Sequence, residues 1–244
     1  AMLDPGDEVI IPQPCYVSYV PCVTLAGGVP VIIELKEEDN FKLTKQELLD
    51  AITDKTKVLI LPFPNNPTGA ILEYEDLVDI AEVVKEKDIF VMSDEIYAEL
   101  TYGRDHVSIA SLPGMKERTI LINGFSKTYA MTGWRIGFIA APDWIVKACN
   151  KLQGQYTSGP CSVSQKAAEA AYTGTQQPVE DMRKAFERRR NLIYDLAKQI
   201  PGLEVNKPQG AFYLFPKCSS FFGKILAVGL VVNFSLYVFI NTAM

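Results

Sequence analysis

The sequence predicts an α/β fold, a three-layer arrangement in which helices cover both faces of a mostly parallel mixed sheet. Short β-branched runs alternate with amphipathic stretches between residues 8 and 140, which is the pattern of strands joined by crossover helices. The central runs are almost continuously apolar, as is typical of strands buried on both faces. After Pro142 helical periodicity replaces the strands, so part of a smaller α/β domain is expected to follow.

The strands of the large sheet are predicted from β-branched runs bounded by turn residues. They are Glu8 to Ile11, Val29 to Glu34, Lys57 to Leu61, Ile89 to Ser93, Thr119 to Ile122 and Arg135 to Ala140. Two helices fit between them. Thr44 with Glu47 predicts a capping box at the start of one, and Glu75 to Lys87 carries an apolar stripe that predicts the other.

The part after the sheet is predicted to be mainly helical. The helices are Trp144 to Gln155, Ser162 to Tyr172 and Pro178 to Ile200. The third keeps an apolar stripe, so Arg188, Arg189 and Arg190 are expected on its solvated face. Short strands at Leu203 to Val205 and Ala211 to Phe215 would then open the smaller domain. We therefore expect a large domain at residues 1–175, the start of a small domain at 176–224 and an apolar tail at 225–244.

The apolar tail at 225–244 is long enough to cross a bilayer on length alone. Three interpretations stay open: a translated junction or truncated gene model, which we favour, a buried pair of strands, or a transmembrane anchor. Asn233, Ser235 and Asn241 argue against the anchor. A membrane partner is accordingly not expected.

Composition narrows the class of partner. A net charge of −5 without a long basic run gives no electrostatic reason to expect nucleic acid. The five cysteines lack a C-x-x-C pair, which predicts neither a disulfide framework nor a zinc site and fits the cytoplasm. His106 is the single histidine, so a metal site is not expected, and we predict an ordinary loop or surface residue.

Polar residues follow the predicted strands at the point where each strand ends. They are Tyr16, Asn66, Asp94, Tyr97 and Lys127. The carboxyl ends of parallel strands meet at one edge of a sheet, where ligands bind. Arg135 begins its strand, so it reaches that edge only if the strand runs antiparallel. An amine, a carboxylate, a phenol, an amide, an aromatic face and a guanidinium are together what a pyridine aldehyde phosphate requires.

Three motifs in this set resemble a known family. The run Gly124 to Gly137 places Lys127 and Arg135 eight residues apart, and Asn66 to Gly69 and Asp94 to Tyr97 precede it in order. The chain, from about residue 3 to Lys224, is similar to class I and II aminotransferases of the aspartate aminotransferase type, of pyridoxal-phosphate fold type I. The resemblance implies pyridoxal 5'-phosphate, amino acid and 2-oxo acid substrates, and a homodimer.

The resemblance also implies a role for each residue. Lys127 would hold the cofactor as a Schiff base and move a proton, and Asp94 would keep the pyridine nitrogen protonated. The other roles would be ring-oxygen contacts from Tyr97 and Asn66, stacking by Tyr16 and a phosphate fork from Arg135. Taken singly, each of these residues also fits an ordinary structural role, such as a surface lysine, a helix cap or a core tyrosine.

The sequence departs from the family in three places. Gly124 stands where many relatives have a hydroxyl, and both the N-terminal phosphate-binding helix and the C-terminal substrate arginine are missing, so we expect a chain incomplete at both ends. The function expected is transfer of an amino group from an L-amino acid, with an aspartate-like donor favoured, to a 2-oxo acid. A catalytically silent truncated fragment and a beta-eliminating lyase of the same fold stay open as alternatives.

Overall fold

The computed structural model describes residues 1–217. Within that part of the chain, six strands form the large sheet: β1 (Glu8–Gln13), β2 (Val29–Glu34), β3 (Thr56–Leu61), β4 (Phe90–Asp94), β5 (Thr119–Gly124) and β6 (Gly137–Ala140). Every predicted strand of the sheet is present, and half of the predicted bounds shift by one or two residues. The predicted α/β class is confirmed.

The strand order across the sheet is β2-β1-β3-β4-β5-β6. The first five strands are parallel, whereas β6 pairs antiparallel with β5, opposing Gly124 to Gly137. The carboxyl ends of β1, β3, β4 and β5 therefore lie at one edge, and the start of β6 lies at the same edge. This is the antiparallel strand that the position of Arg135 required.

Helices cover both faces of the sheet and continue beyond it. They are α1 (Tyr19–Leu25), α2 (Lys45–Ala51), α3 (Tyr74–Glu86), α4 (Asp143–Tyr156), α5 (Ser162–Thr173) and α6 (Gln177–Ala197). The capping box of Thr44 and Glu47 is formed at the start of α2, as predicted. Helix α1 was not predicted, because it is short and contains Pro21. Proline in a first helical turn removes no intrahelical hydrogen bond.

The core consists of two apolar layers separated by the sheet. On one face Ile10 and Leu59 pack with Leu48 of α2 and Ile80 of α3. On the other face, the strand residues that alternate with these pack against Val23 of α1; they are Val9, Ile11, Val58 and Ile60. Burial on both faces explains the continuous apolar runs of the central strands. It also fixes their register, since a slip by one residue would exchange the two layers.

The segment after α6 differs from the prediction in one element. Strand β7 (Glu204–Val205) is present, but its antiparallel partner is β8 (Pro216–Lys217). The predicted strand Ala211 to Phe215 is wrong. Ala211 adopts a left-handed conformation, with φ of 55°, and its amide donates to Leu100 O at 2.8 Å. The backbone here bonds to loops of the large sheet and not to a second-domain strand.

The three consecutive arginines of α6 have different environments. Arg188 and Arg189 are exposed, as predicted. The prediction is wrong for Arg190, whose Nη1 donates to Pro208 O at 2.5 Å and whose guanidinium lies 4.7 Å from the centre of the Tyr102 ring. Arg190 joins the helix to the segment that follows it, because the chain turns back on α6 after Ala197.

Residues 225–244 lie outside the described residues, so the interpretations of the tail stay predictions. Among residues 1–217, no helix combines the length and apolarity that crossing a membrane requires. The domain boundary near residue 176 also stays a prediction.

Candidate active site

Lys127 lies in the turn that follows β5. Its Nζ is 5.9 Å from the centre of the Tyr97 ring and 5.6 Å from that of Phe212. Burial lowers the pKa of Lys127, Tyr16 opposes that shift, and the positive charge of Arg135 adds to it. A lowered pKa increases the fraction of neutral amine, which is the nucleophilic form.

Asp94 ends β4, and both of its carboxylate oxygens are hydrogen-bonded. The Tyr19 hydroxyl donates to Oδ2 at 2.8 Å, and the backbone N–H of Ile96 donates to Oδ1 at 3.2 Å. Burial raises the pKa of Asp94, and the two hydrogen bonds oppose that rise. The carboxylate is therefore poorly hydrated, so a positively charged partner would relieve the cost of its burial.

Tyr97 is buried three residues after Asp94. Its hydroxyl oxygen lies 2.6 Å from that of Tyr213. Burial raises the pKa of Tyr97 above its ordinary range, and interaction with the side chain of Asn66 acts to lower it. Asn66 follows β3 and Tyr97 follows β4, so the loops of two neighbouring strands meet at this hydroxyl.

Tyr16 follows β1 and has the most accessible ring of the group. Its side chain is half exposed, and the ring packs edge-on against Tyr19 with 5.8 Å between centroids. Tyr16 is close enough to influence the pKa values of both Lys127 and Tyr213. An exposed aromatic face beside these groups is suited to stacking on a planar ligand.

Arg135 lies two residues before the start of β6. Its backbone is left-handed, with φ of 51°, and its side chain is exposed, with Nη1 donating to Thr132 O at 2.8 Å. The left-handed residue ends the short helical turn Thr132–Trp134. Its guanidinium is close enough to Lys127 to affect that amine, and the other guanidinium nitrogens are available to an anion.

A second polar cluster lies behind Asp94, around the buried carboxylate of Glu95. Ser93 and Ser108 donate to its Oε1 at 3.0 and 2.6 Å, and His106 Nε2 lies 2.9 Å from its Oε2. His106 is a loop residue, as predicted, but most of its side chain is buried. The cluster ties the loop around residue 106 to the end of β4.

Sequence reasoning did not identify three residues that support the site. Tyr19 and Tyr213 provide hydroxyls to Asp94 and Tyr97. Asn65 is fully buried, accepts from Thr68 and donates to Pro14 O at 3.2 Å. The adjacent Asn66 could be selected because it begins a recognisable motif. Tyr19 and Tyr213 bond residues that are distant in the sequence, so no local pattern indicates their roles.

The structure thus brings together all six residues that sequence reasoning selected, at one edge of the sheet. Their chemistry fits pyridoxal phosphate: an amine of lowered pKa, a buried acid, hydroxyl and amide donors, an open aromatic face and an accessible guanidinium. The buried, poorly hydrated carboxylate of Asp94 is the clearest sign of fit, because a protonated pyridine nitrogen would be its counter-charge.

Comparison with known proteins gives consistent matches. A family model described as aminotransferase class I and II matches residues 1–240. The chain is 54% identical over 217 residues to an aspartate aminotransferase of Geobacillus stearothermophilus, covering 88% of this chain and 55% of that protein. It is 51% identical over 217 residues to an aspartate aminotransferase of Bacillus subtilis, with the same two shares, 88% and 55%.

A solved structure agrees with these relatives. The aromatic aminotransferase from Pyrococcus horikoshii superimposes with a TM-score of 0.86 at 50% identity, covering 88% of this chain and 58% of that one. The chain spans about half the length of the curated relatives it matches, at 55% for the two described above.

Proposed function

The chain belongs to the aminotransferase class I and II family, and on that premise we propose that the protein it represents is a pyridoxal-phosphate-dependent aminotransferase. The reaction is transfer of an amino group from an L-amino acid, with an aspartate-like donor favoured, to a 2-oxo acid. The names of the first relatives, both aspartate aminotransferases, support this choice over a beta-eliminating lyase.

The single observation that carries the proposal is the position of Lys127. Its amine is half-buried, has a lowered pKa and lies between aromatic rings beside Arg135. We assign it two tasks. It would hold the cofactor through its aldehyde group, and as a free amine it would accept and return the proton of the substrate's alpha carbon.

The remaining residues bind and orient. Asp94 would keep a proton on the ring nitrogen and so support the electron-withdrawing ring that the cofactor supplies when bound. Tyr97 and Asn66 would donate to the ring oxygen, Tyr16 would stack on the ring face, and Arg135 would pair with the phosphate. These assignments rest on the geometry of the edge and on the family resemblance.

The covalent proposal is tested by trapping. Purified chain is mixed with pyridoxal phosphate, reduced with borohydride, and mapped by peptide mass spectrometry. We expect one modified lysine, Lys127, and no such adduct in Lys127→Ala. Lys45, which is ion-paired on the surface, is the internal control. Adducts spread equally over both lysines would contradict the proposal.

The donor is tested by half-reactions. L-Aspartate, L-phenylalanine and L-alanine are each added to the loaded protein, and the absorbance of the cofactor is followed. We expect the fastest change with aspartate. The aromatic aminotransferase from Pyrococcus horikoshii is also similar, so phenylalanine is the informative competitor. Release of pyruvate from a beta-substituted amino acid would reveal elimination.

We further propose that the protein acts in the cytoplasm as a homodimer. The cysteines described by the structure, at positions 15, 22, 149 and 161, are unpaired, which suits a reducing compartment. Large apolar side chains are exposed on α4 and α5, including Tyr156 and Tyr172. Such a surface is suited to a subunit interface. Analytical ultracentrifugation of the complete protein tests this, and a monomer at micromolar concentration would contradict it.

A further inference from the structure

The segment Pro208 to Tyr213, here called the closing segment, is fixed to the same edge of the sheet as Lys127. The amides of Gln209 and Gly210 both donate to Gly69 O at 2.9 Å. The fit is close, because a Cβ on Gly69 would lie 2.5 Å from Cβ of Pro208. The closing segment is therefore held on the loop that carries Asn66.

Further along, the closing segment is attached to the loop after β4. Ala211 is fully buried, its amide donates to Leu100 O at 2.8 Å, and the Tyr102 amide donates to Gln209 O at 2.9 Å. These bonds come from backbone atoms, so they fix the path of the segment independently of its side chains. The two residues that follow Ala211 are consequently delivered to the site.

Phe212 and Tyr213 contact the residues that hold the cofactor in the proposed function. The Phe212 ring is 5.4 Å from that of Tyr97 and 5.6 Å from Lys127 Nζ. The Tyr213 ring meets that of Tyr97 edge-on at 5.8 Å, with the hydroxyl oxygens 2.6 Å apart. At 2.6 Å the two hydroxyls share a strong hydrogen bond.

The direction of that hydrogen bond is open in the protein alone, since either hydroxyl can donate. A hydroxyl has one proton and two acceptor sites. If Tyr97 gives its proton to an anionic ring oxygen, the bond to Tyr213 persists only when Tyr213 is the donor. Donation to Tyr97 polarises its O–H group and strengthens the next bond in the chain.

We propose that Tyr213 is a positioning residue of the site, whose hydroxyl donates to Tyr97 and thereby strengthens the hydrogen bond from Tyr97 to the ring oxygen of the cofactor. The inference rests on the proposed function. It assigns to the closing segment a direct part in setting the electronic state of the site. The close attachment of the closing segment to the Gly69 loop then has a physical reason, because it holds Tyr213 against Tyr97.

The test is the pH dependence of the cofactor's absorbance in the loaded protein. Donation to the ring oxygen would stabilise the negative charge of that oxygen. The nitrogen that would join Lys127 to the cofactor would then lose its proton at a lower pH, and the midpoint of the absorbance change reports that pH. Tyr97→Phe should raise the midpoint by about one pH unit or more, and Tyr213→Phe by about half a pH unit, roughly a threefold change in the proton equilibrium. The double variant should match Tyr97→Phe, because Tyr213 acts through Tyr97.

The matched control is Tyr129→Phe. It removes a hydroxyl whose partner is Gln176 at 2.9 Å, away from Tyr97, so the midpoint should not move. Thermal unfolding of each variant verifies folding. As a second measurement, the carbon-13 resonance of the Tyr97 phenol carbon in the cofactor-free protein should shift in Tyr213→Phe and stay in place in Tyr129→Phe.

Failure of the inference and of the proposed function can be told apart. An unmodified protein that forms no borohydride-stable adduct overturns the function, and the inference with it. An unmodified protein that binds the cofactor while Tyr213→Phe keeps its midpoint, or adds to Tyr97→Phe, overturns the inference alone. An unchanged chemical shift of the Tyr97 phenol carbon in Tyr213→Phe also overturns the inference.

Discussion

The hydroxyl of Tyr19 donates to the carboxylate of Asp94 at 2.8 Å, joining residues 75 positions apart. Tyr19 begins α1 and Asp94 ends β4, so this bond connects a helix on one face to the carboxyl edge of the sheet. It holds the carboxylate in one orientation and compensates part of the cost of its burial. The cost that remains leads to the first prediction.

Asp94→Asn should stabilise the cofactor-free protein at pH 7 while weakening cofactor binding. Burial raises the pKa of Asp94 above its ordinary value of 3.8. Below pH 3.8 the carboxyl is protonated in both the folded and the unfolded protein and costs nothing. As the pH rises through the folded pKa, ionisation in the folded protein is penalised and stability is lost, by about 1.4 kcal/mol for each tenfold difference in proton affinity between the two states. Asparagine does not ionise and escapes this loss.

Urea unfolding at several pH values measures the effect. The advantage of Asp94→Asn over the unmodified protein should shrink as the pH falls from about 7 towards about 4. The Tyr19 hydroxyl can accept as well as donate, so it can turn to meet the new amide. A variant less stable than the unmodified protein at neutral pH would show that the hydrogen bonds to Asp94 outweigh the cost of burying its charge.

Lys127 should titrate below an ordinary lysine, whereas Lys45 should titrate above one. Burial lowers the pKa of Lys127 from 10.5, and a hydrogen bond to Glu82 raises the pKa of Lys45 from the same value. Competitive labelling with acetic anhydride across pH, read by mass spectrometry, gives both midpoints. Arg135→Gln removes a positive charge and should raise the midpoint of Lys127 alone. Equal midpoints for the two lysines would contradict the environment described for Lys127.

Asn65 and Asn66 should respond differently to alanine. Asn65 is fully buried and its amide bonds Thr68 and Pro14, so Asn65→Ala leaves buried groups without partners and should cost about 2–3 kcal/mol. Asn66→Ala should cost about 1 kcal/mol or less but change the environment of Tyr97. Urea unfolding and tyrosine resonances separate the two effects. Similar losses of stability would mean that both asparagines are structural.

Replacing Glu95 should destabilise the fold around Asp94. Two serine hydroxyls and His106 bond its buried carboxylate. Glu95→Gln removes one acceptor and should cost about 1–2 kcal/mol, while Glu95→Ala strands all three partners and should cost about 3 kcal/mol or more. Denaturant unfolding measures both. In a double variant with His106→Ala, the costs should be less than additive, since the pair shares one interaction; full additivity would contradict the contact.

Much of the fold could be predicted because it depends on local pattern. The bounds of β2 coincide with its β-branched run, and the capping box of α2 is complete within four residues. Five of the six site residues could be selected because the chain places them at or soon after the end of a strand, and parallel strands bring those positions together. One strand direction, that of β6, then accounted for Arg135.

The remaining features depend on contacts between distant residues. Tyr213 bonds Tyr97 across 116 positions, and no spacing rule connects them. The stretch around Ala211 has the composition of a strand, yet its amide finds an acceptor in Leu100, so tertiary structure overrides propensity. Arg190 likewise does not lie on the solvated face of α6, because its guanidinium contacts Pro208 O and the Tyr102 ring.

Because β6 runs antiparallel to β5, the two site cations lie on the same connection between neighbouring strands. One loop, between β5 and β6, carries both Lys127 and Arg135. A hydrogen bond from Phe125 N to Ile136 O at 3.4 Å closes the base of this loop. The distance between Lys127 and Arg135 therefore depends on the conformation of this loop and not on the spacing of the other strands. In the proposed function, the two residues that would hold the aldehyde and the phosphate therefore belong to one loop, whereas Asp94, Tyr97 and Asn66, which would hold the ring, lie at or after the ends of other strands.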